Sequence, residues 1–126
     1  MPGKKKILII EDDPSSKKLQ TGLLQQAGYE ILATDSAEAG MTLAKEQLPD
    51  LITMDYQLPG MNGELALKIL SADERTKNIP VVFVTASVME EEKKRFASYH
   101  CKVITKPINT RIFVREIEEV LNAPRK

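Results

Sequence analysis

Five side chains that could bind a metal ion and a phosphoryl group follow apolar, strand-like runs of this sequence. They are Glu11 and Asp12 after a first run, Asp55 after a second, Thr85 after a third and Lys106 after a fourth. Function in an open α/β sheet gathers beyond the carboxyl ends of its parallel strands, so such a sheet would bring the five side chains together. Three carboxylates there predict a hard divalent cation, Mg²⁺, Mn²⁺ or Ca²⁺. With so few ligands, Mg²⁺ that keeps several of its waters fits best.

The charges of this predicted site balance when Mg²⁺ is bound. The three carboxylates would otherwise repel one another and hold protons more tightly, whereas one Mg²⁺ and the Lys106 ammonium bring the sum of charges to zero. Phosphorylation of Asp55 would change its charge from −1 to about −2 and leave about one excess negative charge. New donors would then turn inward, the Thr85 hydroxyl first and the Ala86 amide with it. The small Ala86 side chain also leaves room for a phosphoryl group above Asp55.

The elements that must position these residues follow the pattern of βαβ units, because short apolar runs alternate with longer amphipathic stretches. We predict strands at 6–10, 30–34, 51–54, 81–84 and 102–105. We predict helices from Asp13-Pro14 to a stop at Gly28, at 36–46, opening at 64–70, at 89–98 and at 109–122. The predicted fold is therefore α/β, a (βα)5 doubly wound parallel five-stranded sheet between two helical layers. The second strand carries no functional residue, which the order 2-1-3-4-5 explains, because its switch point lies between strands one and three.

Two of the helices carry predictions about packing. Leu19, Leu23, Leu24 and Ala27 lie at helical spacing and are expected to form the inner face of the first helix. The fourth helix, at 89–98, is strongly charged and its apolar side is thin. We therefore expect that helix to pack loosely and to be mobile.

The composition is that of one ordinary soluble globular domain. The chain has 126 residues, 42% hydrophobic and 29% charged, enough to bury a core without disulfides or a structural metal. Its 18 basic residues balance its 18 acidic ones, so no net field recruits nucleic acid or anionic lipid. The lone Cys101 excludes an internal disulfide, and no apolar run is long enough for a bilayer or a signal-peptide core. We therefore predict a cytoplasmic protein.

Simpler interpretations apply to each residue taken alone. An acidic residue at a strand end is often a helix cap, which we predict for Asp13 because Pro14 follows it. His100 and Cys101 could suggest a catalytic pair, but they precede the fifth strand and would lie at its far end from Lys106. We interpret them as structural. The combination of residues across four strands is far more specific than any one of them.

Four motifs make the chain resemble, over essentially its full length, the response-regulator receiver domains of two-component signalling. They are ILIIEDDP at 7–14, MDYQLPGMNG at 54–63, VTAS at 84–87 and TKPI at 105–108. The resemblance implies a flavodoxin-like three-layer sandwich and one receiver domain over residues 1–126. It assigns roles by position: metal binding to Glu11, Asp12, Asp55 and the backbone carbonyl of Gln57, phosphate acceptance to Asp55, the switch hydroxyl to Thr85 and phosphate binding to Lys106.

One position departs from the pattern of that family. Its members usually have Tyr or Phe three residues before the lysine, and this ring swings inward on activation, whereas here the position holds Val103. A valine cannot report the state of the site at the surface as a large ring does. Two interpretations follow: activation runs through Thr85 and the fourth helix, or the protein is a phosphate carrier that needs little switching.

The resemblance implies a phosphoacceptor signalling domain rather than an enzyme. It would accept a phosphoryl group on Asp55 from a histidine kinase or a histidine phosphotransfer protein, with Mg²⁺, and would assist only its own phosphorylation and dephosphorylation. We expect output through contact with a downstream protein effector, with no DNA-binding module after Asn122 and no membrane association. The fourth helix, fifth strand and fifth helix form the expected contact surface, which could also make a homodimer.

Three alternatives stay open. The chain could be a receiver domain excised from a larger regulator or a hybrid histidine kinase. It could be an aspartyl-phosphate phosphatase of the haloacid dehalogenase type, although those enzymes use a second Asp where Gln57 stands. It could be a flavodoxin-like flavin-binding module, although Glu11 and Asp12 would repel a phosphate group and no Ser/Thr/Gly-rich phosphate loop follows the first strand.

Overall fold

A parallel β-sheet forms the centre of the protein. The structure, a computed structural model, describes residues 4–58, 60–86 and 101–123. In chain order the strands are β1 (Lys6–Ile10), β2 (Glu30–Thr34), β3 (Leu51–Met54), β4 (Gln57–Leu58), β5 (Met61–Asn62), β6 (Val81–Thr85) and β7 (Lys102–Thr105). Five of them form one sheet in the order β2-β1-β3-β6-β7, and all neighbouring pairs are parallel. The short β4 and β5 lie outside this sheet, so β6 and β7 are the predicted fourth and fifth strands. The predicted order 2-1-3-4-5 is therefore confirmed.

The helices of the described residues are α1 (Pro14–Gln26), α2 (Ala37–Gln47), α3 (Gly63–Ala72) and α4 (Phe113–Leu121). The helix predicted at 89–98 lies outside the described residues, so α4 is the predicted fifth helix. Its predicted start at 109 is wrong. The side chain of Asn109 accepts a hydrogen bond from the Arg111 backbone N–H at 3.0 Å, and this local bond favours a turn over a helix. Among the residues that the structure describes, no helix is long and apolar enough to cross a membrane.

Side-chain caps determine where three of these helices begin. The Asp13 carboxylate accepts from the Ser15 backbone N–H at 3.3 Å, which confirms the predicted cap of α1. Ser36 caps α2 and Asn62 caps α3 in the same way. These bonds satisfy backbone donors that have no partner within the helix. Each cap therefore fixes how the chain leaves a strand end and enters the next helix.

Apolar residues cover both faces of the sheet. Within β1, Ile7 and Ile9 point to the face covered by α1 and α4, whereas Leu8 and Ile10 point to the face covered by α2 and α3. All four are fully buried. A strand that is buried on both faces reads as a continuous apolar run, which is why the sequence predicts these strands well.

The inner face of α1 differs from the predicted one. Its buried residues are Ser16, Gln20 and Leu24, whereas Leu19 is 38% exposed and Ala27 is exposed. Residues four apart lie on one stripe of a helix, so Leu24 places the two polar residues against the sheet. They can be buried there because they are hydrogen-bonded.

The segment 58–63, whose Pro and Gly content is typical of a loop, contains part of a β-hairpin. The strands β4 and β5 pair antiparallel, with Gln57 opposite Asn62 and Leu58 opposite Met61. Gly60 adopts a φ of 78°, a left-handed conformation that costs glycine little and lets the chain reverse. The hairpin joins the end of β3 to the start of α3 and so fixes the backbone beside the candidate site.

Candidate functional site

The candidate site lies where β1, β3, β6 and β7 end. Backbone hydrogen bonds continue the sheet by one residue: Asp55 N donates to Ile10 O at 3.1 Å, and Lys106 N donates to Thr85 O at 2.8 Å. Lys106 then joins the next residue through a cis peptide bond to Pro107. The pairing with neighbouring strands therefore fixes the backbone from which Asp55 and Lys106 project.

Lys106 bridges two of the predicted carboxylates. Its Nζ lies 2.9 Å from Glu11 Oε1 and 2.9 Å from Asp55 Oδ2. One carboxylate oxygen from each of Glu11, Asp12 and Asp55 lies within 4.8 Å of the other two. Glu11 and Asp55 are buried and Asp12 is exposed, so the cluster faces solvent on the Asp12 side. Oxygen atoms in this arrangement could hold a hard divalent cation.

Burial and charge act in opposite directions on Glu11 and Lys106. Burial raises the pKa of Glu11 above its usual value, although hydrogen bonds from Lys106 and Ser16 oppose that rise. Burial alone would lower the pKa of Lys106, but its hydrogen bonds to Glu11 and Asp55 raise that pKa overall. Lys106 is therefore held as a cation. A second cation beside Glu11 would offset the carboxylate charge that burial disfavours.

The remaining predicted residues border this cluster. The Gln57 backbone N–H donates to Asp55 Oδ1 at 3.1 Å, which holds the carboxylate from the side of β4. Thr85 is buried as the last residue of β6, and the exposed Ala86 follows it. An open groove of about 440 Å³ gives access to Lys106, and its lining residues are Asp13, Ser15, Ser16, Leu19, Ala86, Lys106, Pro107 and Ile108.

A cluster of buried, hydrogen-bonded polar side chains beneath Glu11 was not predicted from the sequence. Gln20 Nε2 donates to Glu11 Oε1 at 3.3 Å and to Ser16 Oγ at 3.1 Å, and Thr53 Oγ1 donates to Gln20 Oε1 at 2.8 Å. The sequence did contain a signal. Ser16 and Gln20 are polar residues in helical phase with Leu24, and Thr53 interrupts an otherwise apolar strand.

An aromatic ring lies next to the position of Val103, but on the neighbouring strand. Val103 is in register with Phe83, which is fully buried. The Phe83 and Tyr56 rings meet edge to face, with centroids 6.1 Å apart and planes at 65°. Tyr56 directly follows Asp55. The buried ring of this layer therefore belongs to β6 rather than β7.

Cys101 lies just before β7, at the end of that strand opposite Lys106, as predicted. Burial raises the pKa of its thiol to about 11. The thiol is therefore protonated at neutral pH, which makes it a poor nucleophile. His100, which we interpret as structural together with Cys101, lies outside the described residues.

Comparison with known proteins gives matches over most of the chain. A family model described as the response regulator receiver domain matches residues 7–118. The polar-differentiation response regulator DivK of Brucella ovis is 38% identical over 118 residues, which cover 93% of this chain and 96% of that protein. The family model extends from Ile7 of β1 into α4 and therefore includes every predicted site residue.

Solved structures of similar shape lead to the same family. The non-phosphorylated HemR receiver domain from Leptospira biflexa superposes with a TM-score of 0.87 at 26% identity, covering 98% of each chain. A CheY-like response regulator receiver domain protein from Methanospirillum hungatei superposes with a TM-score of 0.87 at 25% identity, covering 95% of each chain. Both comparisons extend over the sheet and the helices on its two faces.

Proposed function

The chain belongs to the response regulator receiver domain family, and from that premise we propose that it is a phosphoacceptor in two-component signalling. Asp55 accepts the phosphoryl group, and a histidine kinase or histidine phosphotransfer protein supplies it. Phosphorylation then changes how the protein contacts a downstream protein effector. The receiver family is a family of signalling domains, so the chemistry we assign to the site is its own phosphorylation and the reversal of that step.

The contact between Lys106 and Asp55 is the observation that carries the proposal. Their side chains are 16% and 11% exposed, and Nζ lies 2.9 Å from Oδ2. A charge-assisted hydrogen bond of this length is among the stronger ones in proteins. It orients the carboxylate and places a permanent cation beside the oxygen atoms that would receive a phosphoryl group.

The oxygen donors beside this contact fit Mg²⁺. Glu11, Asp12 and Asp55 offer three carboxylate oxygens within 4.8 Å of one another. The Gln57 backbone already donates to Asp55, and its carbonyl would add the further oxygen ligand that the family resemblance implies. Such hard oxygen ligands suit Mg²⁺, which keeps several waters. When bound, Mg²⁺ would supply positive charge that offsets the negative charge of the transferring group.

The transfer needs a positioned nucleophile and balanced charge more than further chemistry from the protein. An Asp55 carboxylate oxygen forms a bond to phosphorus while the bond from phosphorus to the donor nitrogen breaks, and the donor keeps that electron pair. Lys106, already 2.9 Å from Asp55, offsets the added charge of about one unit. The Thr85 hydroxyl and the Ala86 amide donate to the phosphoryl oxygens from the neighbouring strand end.

Output occurs through the surface of β7 and α4. The ion pair between Lys102 and Glu116, 3.6 Å long, joins these two elements. Lys106 follows the last residue of β7, so a change in its contacts acts first on this surface. The same surface of β7 and α4 also forms the contact of a homodimer. The proposed kinase and effector would meet the protein in the cytoplasm.

Phosphorylation by a small donor tests this proposal. The protein is incubated with acetyl phosphate and Mg²⁺, and its intact mass is measured. We expect a gain of one phosphoryl group that disappears in Asp55→Asn and when a chelator removes Mg²⁺. Asp35→Asn is the matched control, because Asp35 is an exposed carboxylate directly after β2, and it should leave the gain unchanged. A wild type that gains no mass, or a gain that persists in Asp55→Asn, would overturn the proposal.

A further inference from the structure

A buried hydrogen-bond chain runs from β3 through α1 to Glu11. Thr53 Oγ1 donates to Gln20 Oε1 at 2.8 Å, and Gln20 Nε2 donates to Glu11 Oε1 at 3.3 Å. All three residues are 1% exposed. We propose that Gln20 is a positioning residue that holds the Glu11 carboxylate for cation binding, and that Thr53 fixes the orientation of Gln20. This rests on the proposed function, because it takes Glu11 as a metal ligand.

Thr53 selects one of two orientations of the Gln20 amide. An amide presents an acceptor oxygen on one side and a donor NH₂ on the other. The Thr53 hydroxyl donates to the oxygen, so the NH₂ faces Glu11 and also donates to Ser16 Oγ at 3.1 Å. The reverse orientation would place the amide oxygen against a carboxylate oxygen and lose the hydrogen bond. Thr53 therefore acts on Glu11 through Gln20.

Packing alone does not account for these polar residues. The same layer between α1 and the sheet is otherwise apolar, with Ile7, Ile9 and Leu24 fully buried. Burying an amide or hydroxyl without a hydrogen bond is destabilising, and apolar residues of similar volume would fill the space without that requirement. The polar pair lies where one of its donors can reach a carboxylate of the candidate metal site.

A neutral donor suits a metal ligand better than another cation does. Lys106 Nζ approaches the same Glu11 oxygen at 2.9 Å, and the Asp13 backbone N–H donates to the other oxygen at 3.3 Å. Gln20 and the Ser16 hydroxyl add contacts without adding positive charge, so the carboxylate keeps its attraction for a divalent cation. When Lys106 turns toward a phosphoryl group on Asp55, Gln20 and Asp13 still hold Glu11 in place.

A titration with Mg²⁺, followed by the NMR shifts of backbone amides, tests this role, because the shifts report both the fold and the Kd. Gln20→Met keeps the length of the side chain and removes the donor. We expect its Kd for Mg²⁺ to rise about tenfold, as is typical for residues that orient a metal ligand. Thr53→Val should raise the Kd by a smaller factor. The double variant should bind no more weakly than Gln20→Met, because both substitutions act through one contact.

Phosphorylation kinetics give a second measure of the same role. The Mg²⁺ concentration for half-maximal phosphorylation by acetyl phosphate should rise by about tenfold in Gln20→Met. The rate at saturating Mg²⁺ should stay near that of the wild type, because Asp55 and Lys106 are unchanged. A residue with a merely structural role would lower the fraction of folded protein and leave the dependence on Mg²⁺ unchanged.

Two control variants separate positioning from stability. Gln25→Met changes an exposed glutamine of the same helix. Thr76→Val removes a buried hydroxyl that donates to the Leu70 carbonyl at 2.6 Å, in the segment that enters β6 at the end opposite the site. Both should bind Mg²⁺ as the wild type does, although Thr76→Val should be less stable.

The outcomes distinguish the inference from the function on which it rests. If Gln20→Met and Thr53→Val bind Mg²⁺ as tightly as Thr76→Val does, the positioning role is wrong. If Gln20→Met does not fold, Thr53→Val decides the question by the same comparison. A wild type without saturable Mg²⁺-dependent shifts around Asp55 would instead overturn the proposed function.

Discussion

The two faces of the sheet support the candidate site by different means. On the polar face, defined by Ser16, Gln20 and Thr53, a hydrogen bond from α1 reaches Glu11, and a hydrogen bond from β3 orients the donor of that bond. Each contact depends on which atom donates and which accepts. This face therefore controls the direction of a carboxylate that carries charge at the site.

The packed face, defined by Tyr56, Gly63 and Phe83, supports the site by filling space under α3. A Cβ atom added to Gly63 would lie 2.6 Å from Phe83 Cε1 and 3.0 Å from Tyr56 Cα. The first approach is closer than carbon atoms tolerate, and the second is tighter than most contacts of a Cβ atom. Even one extra methyl group would therefore displace a buried ring or the backbone that follows Asp55.

The difference separates two kinds of sensitivity. Close packing responds to volume, whereas a hydrogen bond responds to the identity of the donor. Substitutions on the packed face should lower the free energy of unfolding and leave the Mg²⁺ affinity of the folded protein nearly unchanged. Substitutions on the polar face should weaken Mg²⁺ binding more than their effect on stability would suggest.

Truncating Phe83 should produce the largest loss of stability. Phe83→Ala removes a fully buried ring, and such substitutions lower the free energy of unfolding by about 3–5 kcal/mol. Urea denaturation monitored by circular dichroism measures this loss, and Phe83→Leu should lose less because it leaves a smaller cavity. The contrast between the faces breaks down if folded Phe83→Ala binds Mg²⁺ as weakly as Gln20→Met.

Adding a methyl group to the same face should have the next largest effect. Gly63→Ala overfills the contact with Phe83, which typically costs about 1–3 kcal/mol. Gly22→Ala is the matched control, since its Cβ would meet no atom within 4 Å. That substitution should stabilise α1 by about 0.5–1 kcal/mol. Equal effects of the two alanines on the urea midpoint would show that the packed face has room to adjust.

The strands of the sheet could be predicted from the sequence because local and tertiary preferences agree there. Continuous apolar runs bounded by Gly, Pro or charged residues gave β1, β2, β3 and β7 with their observed bounds. The hairpin was missed because Pro and Gly favour turns in loops and hairpins alike. The start of α4 was misplaced because the side chain of Asn109 competes for the backbone.

The edge at which the site lies could also be predicted, but its support on either face could not. Strand ends are local features, so the sequence alone places Glu11, Asp55 and Lys106 together. The bond between Thr53 and Gln20 joins residues on different elements, so the polar positions within α1 and β3 do not by themselves show that the two residues pair. The exposed Leu19 was placed on the inner face of α1, because an inner face with two polar residues violates the usual amphipathic pattern.

Substitutions at the helix caps give a third test of the contrast between the polar face and the packed face, with smaller expected losses of stability. Asp13→Ala and Ser36→Ala each remove a side-chain acceptor at the start of a helix and should lower the free energy of unfolding by about 1 kcal/mol. The Asp13 backbone N–H that donates to Glu11 is retained in Asp13→Ala. Its Mg²⁺ affinity should therefore change less than that of Gln20→Met, and Asp13→Asn, which keeps an acceptor, should restore the stability.

The smallest expected effect is the pH dependence that Glu11 confers. Burial raises the pKa of Glu11 above its ordinary value of 4.5, so the folded protein binds this proton more tightly than the unfolded chain does. Stability from the protonated form is complete below pH 4.5 and is lost as the pH rises through the folded-state pKa. Glu11→Gln stays neutral, so its stability relative to the wild type should grow across that window. The effect is small because the hydrogen bond from Lys106 opposes burial.

Urea titrations of both proteins between about pH 4 and pH 8, in the absence of divalent cations, measure this difference. A difference that stayed constant or reversed with pH would mean that Lys106 and the polar face compensate fully for the burial of Glu11. Adding Mg²⁺ at neutral pH should reduce the advantage of Glu11→Gln, because a bound cation offsets the buried charge in the wild type. Thr53→Val should weaken this rescue by Mg²⁺ whereas Phe83→Leu should leave it intact, since only the polar face directs the Glu11 carboxylate toward the cation.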